Sequence, residues 1–238
     1  MSSTLAFFWE NSDLFLKGFI MTMQVCLISS FFGLFIGTFT ALFKLSPRIF
    51  LRAPANIFIE LFRGTPLLVQ IMFISYAYPM MIRDFFSIQP ELGTWSNPTV
   101  FWDMVIILSL NTGAYQAEII RAGIQGIPPG QMEAARGVGL SYPQSMRFVI
   151  LPQAFRIITP PLAGEFINLI LNSSLVSVVS LGDITFWGRS ISSTSFRTLE
   201  TWFIVGLLYF TMTFSLSNLM RHLEVKYAIP GLGQRRRR

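Results

Sequence analysis

Glu133-Ala-Ala-Arg-Gly-Val-Gly-Leu-Ser-Tyr-Pro-Gln-Ser-Met-Arg-Phe-Val-Ile-Leu-Pro152 is a polar, partly basic stretch set between long apolar segments. Pro128-Pro129 precedes it and predicts the start of a short helix, because first-turn amides lack intrahelical partners and proline loses nothing there. Gly137 and Gly139 predict the end of that helix. Ser141-Tyr-Pro-Gln144 has capping-box spacing and predicts the start of the next one. The result is a compact knob. Ala134 and Ala135 are small enough for a partner groove to close over them, Glu133 offers a charge, and Gly139 lets the chain fold back.

The surroundings of this knob are apolar. Of 238 residues, 52% are hydrophobic and 13% charged, and Phe occurs 24 times. The charged share is about half that of soluble domains, so a bilayer is the expected solvent. One membrane domain over 1–238 is the economical count, with its core at about 18–227 and a basic tail at 228–238. The net charge of +6 is spread over short loops and the tail, so nucleic acid is not an expected partner. Cys26 sits alone in an apolar run and reads as a small hydrophobe, with no disulfide or cysteine metal site. Glu10 and Asp13 before the first apolar run argue against a cleavable signal peptide.

Five spans are expected: about 18–43, 56–81, 100–120, 152–184 and 201–220. Gly33 and Gly37 in the first have the spacing that lets two helix backbones approach. Pro66 interrupts the second, whose apolar core is 67–80, and a polar loop follows over 83–98. Trp202 suits an interfacial ring. With the N-terminus outside, Lys44, Arg48, Arg52, Arg121, Arg136, Arg147, Arg156, Arg221, Lys226 and the tail lie on the cytoplasmic side. Only Lys17, Arg83, Arg189 and Arg197 fall outside, so the Glu133 loop is expected to face the cytoplasm.

No phosphate-binding loop of the Gly-x4-Gly-Lys-Ser/Thr type occurs, and no nucleophile or paired-carboxylate constellation stands out, so the chain reads as a non-enzyme. His222 reads as an interfacial residue, and no metal site is expected.

The Glu133–Pro152 stretch resembles the cytoplasmic coupling loop of ABC-importer permeases. The family pattern is Glu-Ala-Ala, three residues, Gly, nine residues, Ile, one residue, Leu-Pro. Glu133, Ala134, Ala135, Gly139, Leu151 and Pro152 are in register, and Val149 replaces Ile. Glu60-Leu-Phe-Arg-Gly-Thr-Pro66, Ala117-Glu-Ile-Ile-Arg-Ala-Gly123, Leu151-Pro-Gln-Ala-Phe155 and Glu165-Phe-Ile-Asn-Leu-Ile-Leu-Asn-Ser-Ser-Leu175 resemble the polar amino acid branch. Relatives there often carry Lys near position 171 and Thr near 173, where this chain has Leu171 and Ser173. The resemblance implies an all-α membrane protein of the type I ABC importer permease fold, with five transmembrane helices and a short cytoplasmic coupling helix. It implies alternating access in a bacterial inner membrane and an amino acid delivered by an external binding protein. The implied partners are a cytoplasmic ABC ATPase dimer, which would hold ATP and Mg, and a second permease, identical or related. This chain would bind no cofactor itself.

The polar residues within the spans supply candidates for the path, because ionisable groups at membrane depth face a cavity or a partner. Glu165, Asn168 and Asn172 share one helix face in the fourth span. That row suits the ammonium and carboxylate of a zwitterionic ligand, or serves as interhelical glue. Asn111 and Tyr115 form a similar pair in the third span. Glu60, Arg63, Pro66 and Pro152 read as gate or structural residues. Glu118 is expected to pair with Arg121 or Arg63, and Ser173, Ser174 and Ser177 with their own helix backbone. The Arg235–Arg238 tail suits anionic lipid or serves as a topology signal. A stand-alone secondary transporter or channel, or a permease for methionine or another small solute, are the competing readings.

Overall fold

The computed structural model of the chain describes residues 2–80 and 98–227. The expected loop at 83–98, apart from Pro98, and the basic tail lie outside the described residues. The helices are α1 (Ser2–Glu10), α2 (Ser12–Leu45), α3 (Ile49–Gly64), α4 (Leu67–Met80), α5 (Pro98–Gln125), α6 (Pro129–Gly137), α7 (Tyr142–Val179), α8 (Ile184–Ser195) and α9 (Thr198–Tyr227). No strand occurs among the described residues.

Among the described residues, three helices are long and apolar enough to cross a membrane: α2, α7 and α9. The α3–α4 pair counts as a fourth span only as a broken one, bent by 103°. The expected span over 56–81 is therefore two helices meeting at Pro66. The bend has a local cause, since Pro66 has no amide proton and disfavours helical geometry at Thr65, whose φ and ψ are −120° and 144°. α5, with 28 residues, is outside this apolar set. It lies innermost, with Met104, Leu108, Thr112, Ala114, Gln116 and Ala117 all buried, so protein rather than lipid surrounds its polar residues.

The expected fourth span moves. Its helix starts at Tyr142 rather than near Pro152 and ends at Val179 rather than Ile184. It passes Pro152 by a π turn over Met146–Ile150, in which Leu151 donates to the Met146 carbonyl. α4 passes Pro79 likewise, with a π turn over Phe73–Ala77 and Tyr78 donating to the Phe73 carbonyl. A widened turn makes room where a proline ring would meet the preceding carbonyl. The far end of α7 tightens to 3₁₀ winding over Ser173–Val179. There the Ser173 hydroxyl donates to the Ile170 carbonyl (2.7 Å) and that of Ser174 to Leu171 (2.8 Å), as the residue types suggested.

α8 was not anticipated. Asp183 caps it, accepting from the Thr185 and Phe186 amides at 3.1 and 3.0 Å. Its first amide, at Ile184, donates to Thr22 Oγ1 of α2 at 3.3 Å. Gly18 permits that approach, because a Cβ there would lie 2.8 Å from the Ile184 Cα.

The α2–α5 contact organises the rest. A Cβ on Gly33 would lie 2.4 Å from Thr112 Cγ2, and one on Gly37 would lie 2.9 Å from both Gln116 Cβ and the Gly113 carbonyl oxygen. The Gly33–Gly37 spacing does bring two backbones together, with Gly113 facing it. Two apolar cores result. The larger gathers Phe15, Val25, Ile71, Met104, Leu108, Ile170 and Ile184. The smaller gathers Ala41, Ile59, Ala117, Ile120, Ile127, Ile150, Ala154 and Ile158 and packs Met132 of α6 against it.

Candidate functional site

Two groups of sequence-predicted residues are brought together, and they occupy different parts of the molecule. The first surrounds the bend at Pro66. Arg63, in the last turn of α3, is exposed, and its guanidinium sits over the Tyr115 ring, 5.1 Å from the centroid. From α5, Thr112 donates to Glu165 of α7 at 3.1 Å. Glu165 is half-buried, while Asn168 and Asn172 on the same helix face are exposed. Glu60 lies exposed one turn before Arg63. A guanidinium, a carboxylate, amides and a phenol ring thus occupy one partly exposed region of the molecule. Such a set can engage both charges of a zwitterion.

Asn111 is differently employed. Its side-chain amide donates to the Phe62 carbonyl (3.2 Å) and to Gln70 Oε1 (3.0 Å), so it holds the bend rather than opening onto the exposed face. Gln70 was missed in the sequence. It is buried, and its amide donates to the Phe62 carbonyl at 2.9 Å, the Thr65 carbonyl at 3.1 Å and the Thr65 hydroxyl at 2.8 Å. A lone amide four residues after a proline in an apolar segment was the available signal.

The second group is the knob. α6 ends in a Schellman motif: Leu140 donates to the Ala135 carbonyl at 3.2 Å and Gly139 to Arg136 at 3.0 Å, with Gly139 at φ +91°. Gly139, rather than Gly137, is the left-handed residue. Gln144 Oε1 then accepts from the Ser141 amide at 2.8 Å, the reach-back half of a capping box. Glu133 and Ala134 are exposed, but Ala135 is buried by the chain itself, so its small size serves internal packing. Gln153 of α7 donates to Gln131 of α6 at 3.1 Å. Val138 and Tyr142 beside the turn are 79% and 60% exposed, a large apolar contribution to a polar knob. Pro152 lies exposed just past the π turn that accommodates it.

Between the two groups, Glu118 accepts from Arg121 at 2.9 and 2.7 Å and from Lys44 of α2. Arg121 is therefore its partner, as one of two expectations had it, while Arg63 goes to Tyr115. Lys44 was not foreseen in this role. Cys26 is fully buried, and no cluster suited to a metal occurs among the described residues.

Residues 33–228 match the family model described as binding-protein-dependent transport system inner membrane component. The arginine transport system permease protein ArtQ of Bacillus subtilis is 35% identical over 214 residues, covering 89% of this chain and 91% of that protein. The glutamine transport system permease protein GlnP of Escherichia coli is 35% identical over 221 residues, 93% of this chain and 96% of that one. A solved amino acid ABC transporter with histidines superposes with a TM-score of 0.81 at 37% identity, over 91% of this chain and 95% of that chain. A methionine transporter, MetNI in inward-facing form, shares the fold with a TM-score of 0.67 at 18% identity, over 90% of this chain and 98% of that chain.

Proposed function

Since this chain belongs to the family of binding-protein-dependent transport system inner membrane components, alongside amino acid permeases, we propose that it carries a polar amino acid across the membrane by alternating access. The observation that carries this reading is the row Glu165–Asn168–Asn172. On one chain it is partly exposed at membrane depth, where bare polar groups are costly in lipid. A second permease, identical or related, covers it and encloses a polar path between the two. Arg63 and Glu165 supply opposite charges to that path, which suits the carboxylate and ammonium common to amino acids. Tyr115, Asn168 and Asn172 line it, while Glu60, Pro66 and Pro152 shape the gate and its helices.

The N-terminus lies outside and the C-terminus in the cytoplasm, in a single membrane domain over 1–238. Two cytoplasmic ATPases dock on the exposed side of α6 through Glu133 and Ala134, with Ala135 and Gly139 giving the knob its shape. ATP and Mg bind on those ATPases, and this chain catalyses no reaction itself. A loaded binding protein delivers the amino acid from outside.

The test is co-purification of the tagged chain in mild detergent with mass spectrometry, followed by reconstitution with the recovered subunits. A stoichiometric ATPase, with ATP-dependent amino acid uptake that Glu165→Gln lowers at least about tenfold, is expected. Purification without any ATPase, together with uptake by this chain alone, would overturn the reading.

A further inference from the structure

In an unbroken helix the Phe62 carbonyl accepts from the amide of residue 66. Residue 66 is proline, so that donor does not exist. Phe62 is half-buried, and a carbonyl left without a partner there is costly. Two buried side chains take the place of the missing proton. Gln70 of α4 and Asn111 of α5, each 8% exposed, both donate to the Phe62 carbonyl, at 2.9 and 3.2 Å. They also bond to each other at 3.0 Å, and Gln70 adds the Thr65 carbonyl and hydroxyl at 3.1 and 2.8 Å. Three helices are thus tied at one carbonyl.

The next residue after Phe62 is Arg63, and one turn beyond Asn111 is Tyr115. The two helices joined by the amides therefore also carry the Arg63–Tyr115 pair. We propose that Gln70 and Asn111 form a clasp that fixes the bend between α3 and α4 and so positions Arg63 in the translocation path. They are positioning residues and need not touch the solute. The proposal rests on the path reading of Arg63 given above. A carbonyl served by side chains can be released and recaptured as helices move, which a carbonyl served by its own helix cannot without unwinding. The clasp is therefore the part of the bend that the transport cycle can change.

The experiment uses the full transporter in vesicles, with its ATPase and saturating loaded binding protein. Gln70→Met removes the donors while nearly keeping the volume. Spin labels at Ile57→Cys and Tyr78→Cys, both exposed, report the angle between α3 and α4. Gln70→Met should broaden that distance distribution and lower solute moved per ATP by about tenfold, the effect of one or two lost buried hydrogen bonds. In an Arg63→Ala background the same change should cost less than about twofold, because groups acting as a unit are not additive. An unchanged distribution, or full additivity with Arg63→Ala, would overturn the clasp. If Gln70→Met does not reach the membrane, Asn111→Leu removes two of the bonds and is read the same way. Normal transport by Arg63→Ala alone would instead sink the path reading, and the distance measurement would still decide whether the clasp sets the bend.

Discussion

The chain turns sharply at Gly139 and again at Pro66, and it satisfies the loose backbone groups at the two turns by different means. At Gly139 the last carbonyls of α6 are met by the amides of Val138, Gly139 and Leu140, and the only special requirement is a glycine at positive φ. At Pro66 the freed Phe62 carbonyl is met by the side chain of Gln70, eight residues on, and by that of Asn111 in another helix, 49 residues away. The first turn carries its geometry within itself, through bonds between near neighbours. The second holds its geometry only while α3, α4 and α5 stay together.

The strongest way to break this contrast is to disturb both turns at once. α5 carries Asn111 and leads directly into α6, and it is seated on α2 through Gly33 and Gly37. Gly33→Leu drives a side chain into Thr112, where even a Cβ would lie 2.4 Å from Cγ2. Overpacking of this kind costs about 1–3 kcal/mol or more. Loss of folded chain, measured by fluorescence-detected size exclusion, is expected together with loss of ATPase binding and uptake.

The next variants separate the turns. Glu165→Gln should lower uptake at least about tenfold, the scale of a lost charge-assisted contact, while ATPase co-purification stays normal. Uptake at the wild-type rate would remove Glu165 from the path. Gly139→Trp and Glu133→Lys should do the reverse, leaving insertion intact but weakening ATPase docking by about tenfold, measured by pull-down from vesicles. The strain of a bulky residue in the left-handed region is about 1–2 kcal/mol. Normal docking in both would detach the knob from its assigned task. The smallest effect belongs to Gln144→Ala, which removes the reach-back bond to Ser141. About 1 kcal/mol of local stability should be lost, visible as faster amide exchange at the start of α7, with uptake nearly unchanged.

The contrast also explains what could be read from the sequence. The knob was legible because its determinants are neighbours: Pro128-Pro129, Gly139 and Ser141–Gln144 all act within a few residues. Gly33 and Gly37 were legible for the same reason, although their partner, Gly113, was not. Pro66 announced an interruption but not a bend of 103°, because the amides that support the bend come from α4 and α5. Asn111 looked like a residue of the path because a buried amide in a span has few reasons to be there, and its second reason lay in another helix. α8 escaped notice because its cap, Asp183, follows directly on an apolar span, and its anchorage to Gly18 and Thr22 lies 162 residues away in sequence at the Ile184–Thr22 bond. Glu165, Asn168 and Asn172 were found on one face because periodicity survives along a helix, whatever surrounds it.

The π turn at Met146–Ile150 has a consequence for direction. A turn that closes over five residues instead of four holds one residue more than an α-helix would, and each residue advances the face of a helix by about 100°. Everything beyond that turn in α7 is offset by about that amount from where an unbroken α-helix of the same sequence would place it. The compass bearing of Glu165 is thus set some fifteen residues earlier, beside the knob, where one surplus residue lets the helix pass Pro152. Winding that turn back to α with every residue kept would press the Pro152 ring on a carbonyl and swing the polar stripe away by about 100°.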